Sequence, residues 1–511
     1  MKKQVNSSNL SKITSMKRRK SMRKWLMYIL AVSVLSTAFL SGCGSSGEEK
    51  EIQDTETLAE TVPEETEPPF ETDDLPADLN YNGTTVTTFG WSGPALPEFF
   101  VDEQNGDLVN DAIYLRNMTV EERLGVKLEY HLEPGRSVEQ AAWLKSVTGS
   151  ILAGSGDYDI VAGYSMAGAS LAADGCFIDL NAITHINLEK PWWPDALQDE
   201  ATCAGKLYFC SGDISAYYIY NLYCILFNKQ LAIDYSIEDL YPLVLEGKWT
   251  LDKMMSLASV VYEDVDGNGQ KDIMDVYGYS SHAIQADPYY FTSGLKITEK
   301  DENDIPYLSP DFKSEKAVDL VTKLVNFFAQ PYAYLDTADG AIYNNFPAGN
   351  SLFAAQEVMY ILNYVRNSEV EYGVLPMPKY DENQEDYITI LSFPYSLYGI
   401  PVDVKDSEMS GAVMECLASE SYRTVSPALF ETALKFKYAH DNEVGQMYDI
   451  IRATATFDLG RVFANEFNGA TYGLFRTEVA SGKVQWASTA EKNIKSLTSS
   501  LEKLVKALTQ E

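Results

Sequence analysis

Between Thr84 and Ser165 the chain reads TTVTTFGW (84–91), LVNDAIYLRNMTVEERLG (108–125), VKLEYHL (126–132), SVEQAAWLKSVTGSILAGSG (137–156) and YDIVAGYS (158–165). The first, third and fifth pieces are short β-branched and aromatic runs of strand type. The second and fourth have helical spacing, with Ile113, Leu115 and Met118 on or near one face of the second and Gly154 and Gly156 closing the fourth. A strand, helix, strand, helix, strand succession predicts a parallel sheet covered on both faces, in which ligands bind beyond the carboxyl ends of the strands. Trp91 and Tyr164 stand at two of those ends.

Outward from this unit, 511 residues exceed the size at which single cores divide, so at least two lobes are expected. The formal charge is −34, although residues 1–42 hold nine Lys or Arg and no acid. A surface this acidic repels nucleic acid and anionic lipid and argues against both as partners. The basic run MKRRKSMRK followed by WLMYILAVSVLSTAFL and then SGC reads as an export signal too short for a membrane-spanning helix. Leu40-Ser41-Gly42-Cys43 resembles a bacterial lipobox, which implies cleavage before Cys43 and a lipid joined to its sulfur. Residues 43–79, rich in Glu, Thr and Pro, read as a disordered acidic linker that cannot bury enough surface to offset its ordering entropy.

The stretch DVDGNGQKDIMDVYG (264–278) places Asp264, Asp266, Asn268, Gln270 through its carbonyl, Asp272 and Asp275 where a twelve-residue calcium loop has its oxygen ligands, with Gly269 at the sharp turn. Asp275 replaces the usual Glu at the twelfth position. An acidic turn without metal is the alternative. Upstream, Thr250 caps a helix that carries Leu251, Met254, Met255, Ala258 and Val261; downstream VYGYSS reads as a strand. A helix entering and a strand leaving predict a structural calcium clip rather than a sensor. Five cysteines remain beyond Cys43. Cys203 and Cys210 flank an AGK turn and could pair, or all five stay free.

Signatures of catalysis are thin. GYSMAG puts Ser165 after a strand, but Ala167 fills the second Gly position of a nucleophile elbow, and Ser293 to Lys296 matches S-x-x-K with neither companion motif. The aromatic content of 12% gathers instead near the expected cleft at Trp91, Tyr164, Trp192, Trp193, Tyr217, Tyr218, Tyr220 and Tyr223. Sugar C–H faces stack on such rings while amide, carboxylate and phenol groups orient the hydroxyls. The candidate solute contacts are Trp91, Tyr164, Asp213, Tyr217, Tyr218 and Gln356, with Asn221 as a further polar group.

The order of YLRNMTVEERLGVKLEY, AGSGDYDIVAG, GCFIDLNAI, KPWWPDAL, GKLYFCSGDIS, CILFNKQL, GKWTLDKM, YGVLPMPKYDENQEDY and LASESYRTVSPALFE resembles the extracellular solute-binding lipoproteins of bacterial ABC importers, in particular the carbohydrate-binding group. The resemblance implies a periplasmic-binding-protein-like fold with two discontinuous α/β lobes joined by crossing hinge segments, a carbohydrate ligand, a partner permease and no catalysis. It also implies a DxDGNGxxD loop after the helix beginning WT; the IMD insertion here is a departure. The expected lobes are 80–214 with 392–440 and 215–391 with 441–511, in a monomer tethered to the outer face of the cell membrane. A tethered secreted hydrolase is the rival from another class. The last segment shows a Ser488-x-x-Glu491 capping box and an apolar stripe of Ile494, Leu497, Leu501, Leu504 and Leu508, which predict a docked C-terminal helix.

Overall fold

The computed structural model describes residues 71–93, 96–338, 340–430 and 442–509. The export signal, Cys43 and the linker up to residue 70 lie outside the described residues.

The decisive stretch folds as β1 (Thr84–Ser92), α1 (Leu108–Leu124), β2 (Val126–Pro134), α2 (Gln140–Ala153), β3 (Ile160–Tyr164) and α3 (Ser165–Ala173). Local chemistry explains the limits of α1. The Asp107 carboxylate accepts from the Val109 and Asn110 amides, and Gly125 ends the helix at φ 59, a left-handed conformation that glycine adopts without a Cβ clash. One expectation fails here: Leu115 and Met118 are exposed, and the buried face is Val109, Ile113, Arg116, Val120 and Leu124. Arg116 reaches the core because its guanidinium donates to the Phe99 carbonyl and the Ser421 hydroxyl.

The chain continues through β4 (Tyr223–Asn228), α4 (Leu251–Ala258), β5 (Tyr262–Glu263), β6 (Val276–His282), β7 (Thr298–Lys300), β8 (Pro306–Leu308), α5 (Glu315–Phe328), β9 (Ala333–Asp336), β10 (Ser351–Glu357) and β11 (Tyr372–Leu375). It then returns through β12 (Ser396–Gly399) and α6 (Ser407–Glu420), and ends in α7 (Asn442–Ala453), α8 (Ala470–Ser481) and α9 (Trp486–Thr509).

Two sheets result. The first has order β12-β3-β1-β2, with β1 parallel to both β2 and β3 and β12 antiparallel to β3. The second has order β11-β4-β10-β6-β5, with β9 added in parallel on β6; a β7–β8 hairpin stands apart. The first sheet is discontinuous in sequence: it takes β12 from beyond the whole of the second. The connecting segments run side by side between the sheets. Leu222 bridges Leu391 antiparallel, the Ser392 amide donates to the Asn221 carbonyl at 2.8 Å, and Thr389 bridges Ala455 in parallel.

Residues 71–79, expected in the linker, are docked onto the first sheet's layer. The Asp73 carboxylate is fully buried against Arg123, and Lys190 pairs with Glu71 and Asp74 at 3.2 and 2.8 Å. The terminal helix also differs from expectation. It begins at Trp486, so Ser488 lies inside the first turn, where Glu478 instead accepts from the Thr489 hydroxyl at 2.9 Å. The Leu497, Leu501, Leu504 and Leu508 stripe is buried as expected. It packs on α5, α8 and β8 of the second sheet's layer and on α3 of the first, where Tyr208 donates to the Leu508 carbonyl at 2.8 Å. Among the described residues no helix is long and apolar enough to cross a membrane. Cys176, Cys203, Cys210, Cys224 and Cys416 are all buried and free, so Cys203 and Cys210 do not pair.

Candidate functional site

Both sheets turn strand ends toward the crossing band. On the first sheet these are the ends of β1 and β3 and the start of β12. Trp91 lies near the end of β1, fully buried; its indole N–H donates to the Ser396 hydroxyl at 3.0 Å and its ring meets Tyr164 and Tyr217 edge to face at 5.5 and 5.9 Å. A carboxylate that no spacing pointed to organises this edge. Glu98 accepts from Ser215 Oγ at 2.6 Å, Ser396 Oγ at 2.7 Å and the Tyr217 amide at 3.0 Å. Burial raises its pKa, while these donors pull it back. Tyr164 closes β3 and leads into α3, where Ser165 Oγ donates to the Phe393 carbonyl at 2.6 Å. That bond occupies the hydroxyl the GYSMAG motif had offered as a nucleophile.

On the second sheet the corresponding edge holds the end of β10, the end of β6 and the start of β4. Glu357 ends β10 opposite Tyr223 of β4. Gln285 follows β6, and Tyr343, Tyr360 and Tyr364 form an aromatic group with ring centroids 5.0–6.1 Å apart. Beyond Tyr223 lies a charged knot. Asp287 binds Arg476 through both carboxylate oxygens, and Arg461 Nη1 stands 3.8 Å away. Arg461 also donates to the Leu391 carbonyl and lies 4.1 Å over the Phe393 ring. Tyr472 packs tilted against Phe393, ring centroids 4.9 Å apart.

The six expected solute contacts separate into three places. Trp91, Tyr164 and Tyr217 come together as described. Asp213 and Tyr218 belong to the hinge: Asp213 is buried, accepts from Ser426 Oγ and pairs with Arg452 at 2.6 Å, and Tyr218 stacks on Phe457. Burial raises the Asp213 pKa against the pull of Arg452. Gln356 is buried within β10, one residue from Glu357 and therefore on the opposite face of the strand. Asn221 also serves the hinge, donating to the Tyr217 and Pro394 carbonyls.

Trp192 and Trp193, counted among the aromatics near the expected cleft, are instead buried against α6. Glu415 there accepts from Trp193 Nε1 at 2.8 Å, and burial pushes its pKa up to about 7. Its ordinary value is 4.5, so between pH 4.5 and about 7 the folded state keeps a proton that the unfolded chain has released. Stability from this group is greatest at low pH and falls as pH rises through that window. Glu415→Gln, which mimics the protonated form, is expected to flatten that slope in urea denaturation series and to exceed wild type in stability at pH 8. An unchanged slope would assign the pH dependence elsewhere.

The acidic loop connects β5 to β6, which pair antiparallel from Tyr262 with Tyr277 to Glu263 with Val276. It therefore closes a hairpin after α4, whose Thr250 cap accepts from the Lys253 amide as expected. Carboxylate oxygens of Asp264, Asp266 and Asp275 lie within 4.8 Å of one another. Asp275, fully buried, is held by the Val265 amide and the Tyr277 hydroxyl, both at 3.2 Å. Asp272 stands beside this group, bound by the Asn268 side-chain amide and the Met274 amide. The Asn268 carbonyl oxygen accepts from the Gln270 amide. Lys271, the loop's own cation, turns away and donates to the Phe328 and Ala333 carbonyls. A convergence of like-charged hard oxygens from which the local cation is diverted fits a divalent metal of calcium type.

No protein-family model and no curated protein sequence matches the chain. Solved structures do. A cyclo/maltodextrin-binding protein complexed with maltotetraose is 14% identical, covering 84% of this chain and 98% of its own, with a TM-score of 0.53. The cyclic alpha-maltosyl-1,6-maltose binding protein of Arthrobacter globiformis is 12% identical over 82% of this chain and 99% of its own, TM-score 0.53. UgpB of Mycobacterium tuberculosis, in complex with glycerophosphocholine, is 13% identical over 81% of this chain and 98% of its own, TM-score 0.55. With its two sheets, the strand that returns to the first and the crossing band between them, the chain has the two-lobed α/β fold of these solute-binding proteins.

Proposed function

We propose that the protein is a membrane-tethered extracellular solute-binding protein that captures a carbohydrate, an oligosaccharide, between its two sheets and delivers it to an ABC permease. One observation carries this reading. Aromatic and polar residues of both sheets gather at the strand ends beside the same crossing band, Tyr164 on one side and Tyr343, Tyr360, Tyr364 and Glu357 on the other. Apolar ring faces beside orienting polar groups suit a sugar, and the likeness in fold to sugar-binding proteins supports it. The tether follows from Leu40 to Cys43, with Cys43 as the lipidated residue.

The test uses the full chain in detergent, melted against mono-, di- and oligosaccharides with peptides as controls. A saccharide is expected to raise the melting temperature and to reduce the radius seen in solution scattering as the lobes close. Stabilisation by peptides alone, or by no saccharide, would sink the carbohydrate reading. Cys43→Ser is expected to leave the precursor uncut or free the protein from membranes; normal fractionation of the processed variant would remove the lipid anchor.

We further infer that the Asp264 to Asp275 loop binds calcium as a clip on the β5–β6 hairpin, apart from solute recognition. An ion bound only by the folded state stabilises it by RT ln(1 + [Ca]/Kd), about 2.7 kcal/mol at a hundredfold excess over Kd. Chelation is expected to lower the melting temperature of wild type, whereas Asp264→Ala with Asp266→Ala melts low and ignores chelator. A wild-type melting curve unmoved by calcium would make the loop an acidic turn.

A further inference from the structure

Glu357, like Glu98 and Glu415, is a carboxylate of this fold that no cation pairs, whereas others are matched with a guanidinium. Asp73 has Arg123, Asp213 has Arg452, Asp287 has Arg476 and Arg461, and Glu420 has Arg423. Among the described residues no Lys, Arg or His forms an ion pair with Glu357. Its surroundings are neutral: Ser392, Tyr223 and Gln285 flank the carboxylate, and Tyr343 lies beside both Glu357 and Gln285. The nearby guanidinium groups of Arg461 and Arg476 are engaged by Asp287 and the Leu391 carbonyl on the far side of Tyr223.

Two further polar atoms at the same place lack partners. Gln285 Oε1 and the Tyr223 hydroxyl are buried and make no hydrogen bond. An enclosed polar atom without a partner costs about 1–3 kcal/mol, and a carboxylate held by neutral donors alone still lacks a counter-charge. These losses are recovered if an incoming group brings several donors and a positive charge. A hydroxyl brings one donor and leaves the charge unbalanced. A protonated amine brings three donors, no acceptor and the missing charge. The rings of Tyr343, Tyr360 and Tyr364 add faces on which a cation or the C–H face of its sugar can rest.

We propose that Glu357, with Gln285 and Tyr223, receives a protonated amino group of the solute, so that the solute class is an amino sugar or an oligomer containing one. This rests on the carbohydrate reading of the cleft and names the substrate within it. Glu357 and the neighbouring Tyr223 occupy the strand ends nearest the crossing band, so the amine binds at the base of the cleft, next to the hinge.

The experiment measures calorimetric binding of the full chain in detergent at pH 7 to three sets of probes. These are glucosamine and galactosamine with their oligomers, the same sugars fully N-acetylated, and neutral gluco-oligosaccharides. The amine set is expected to bind at least about tenfold tighter than the acetylated set, corresponding to the strength of a charge-assisted hydrogen bond. Glu357→Gln is expected to lose that preference while melting no lower than wild type, because it removes an unpaired charge. Equal binding of amine and acetylated sugars by wild type overturns the proposal, even if the variant does not fold. So does a folded Glu357→Gln variant with undiminished amine affinity. Binding confined to neutral sugars overturns the amine assignment and leaves the carbohydrate reading standing, whereas binding of none of the probes overturns both.

Discussion

Trp91→Ala is expected to lower the free energy of unfolding by about 3–5 kcal/mol, the range for deleting a large aromatic side chain from a well-packed core. Trp91 is fully buried, donates to Ser396 and is boxed by Tyr164 and Tyr217. Ser396 in turn supports Glu98, so truncation removes both apolar contact and one member of a hydrogen-bonded chain that runs to Ser215. Position at a strand end had suggested an exposed stacking platform, whose loss would weaken sugar binding with little change in stability. The structure reverses that ranking: the indole supports the cleft wall from behind. Urea denaturation of the unliganded protein checks it, and a variant that keeps wild-type stability but loses saccharide binding would return Trp91 to the ligand surface.

Asp287→Ala is expected to cost a similar amount, about 3–5 kcal/mol, for an electrostatic reason. The Asp287 carboxylate is 1% exposed and is shared by Arg476 and Arg461, the latter 4% exposed. Removing it strands guanidinium charge in a site walled by Phe291, Phe393 and Tyr472. The desolvation penalty of that charge then stands uncompensated. Arg476→Met in the same background is expected to recover part of the loss, so a double-mutant cycle gives the coupling directly. A cost below about 1 kcal/mol for Asp287→Ala alone would show that water reaches the knot.

Much of the architecture was legible because it is written locally. Alternating strand and helix signals between Thr84 and Ser165 gave the parallel β1, β2 and β3, and the leucine stripe of α9 gave its docked face. The Thr250 cap located α4. Where local patterning misled, the cause was a polar residue with a distant partner. On α1, hydropathy favoured Leu115 and Met118 for the core, yet Arg116 is buried because Phe99 and Ser421 receive its donors. The same holds at the site. Glu98 is 117 residues from Ser215 and 298 from Ser396, and Asp213 is 239 from Arg452. Such pairings leave no periodic trace in a single sequence, so Asp213 was drawn as a ligand contact instead of a hinge strut. Glu357 was missed for the complementary reason: what marks it is an unpaired charge beside the partnerless Gln285 Oε1 and Tyr223 hydroxyl, which only the folded arrangement reveals.

The docked residues 71–75 determine where mechanical load enters the molecule. Asp73 on Arg123, together with Glu71 and Asp74 on Lys190, fastens the chain to the layer of the first sheet before β1 begins. A pull arriving from the N-terminal side is borne by these ion pairs together, in shear across the body of one lobe. It reaches neither the crossing band nor the second sheet directly. The second sheet's layer is joined to this fastening through the crossing segments at Leu222 and Leu391 and through α9.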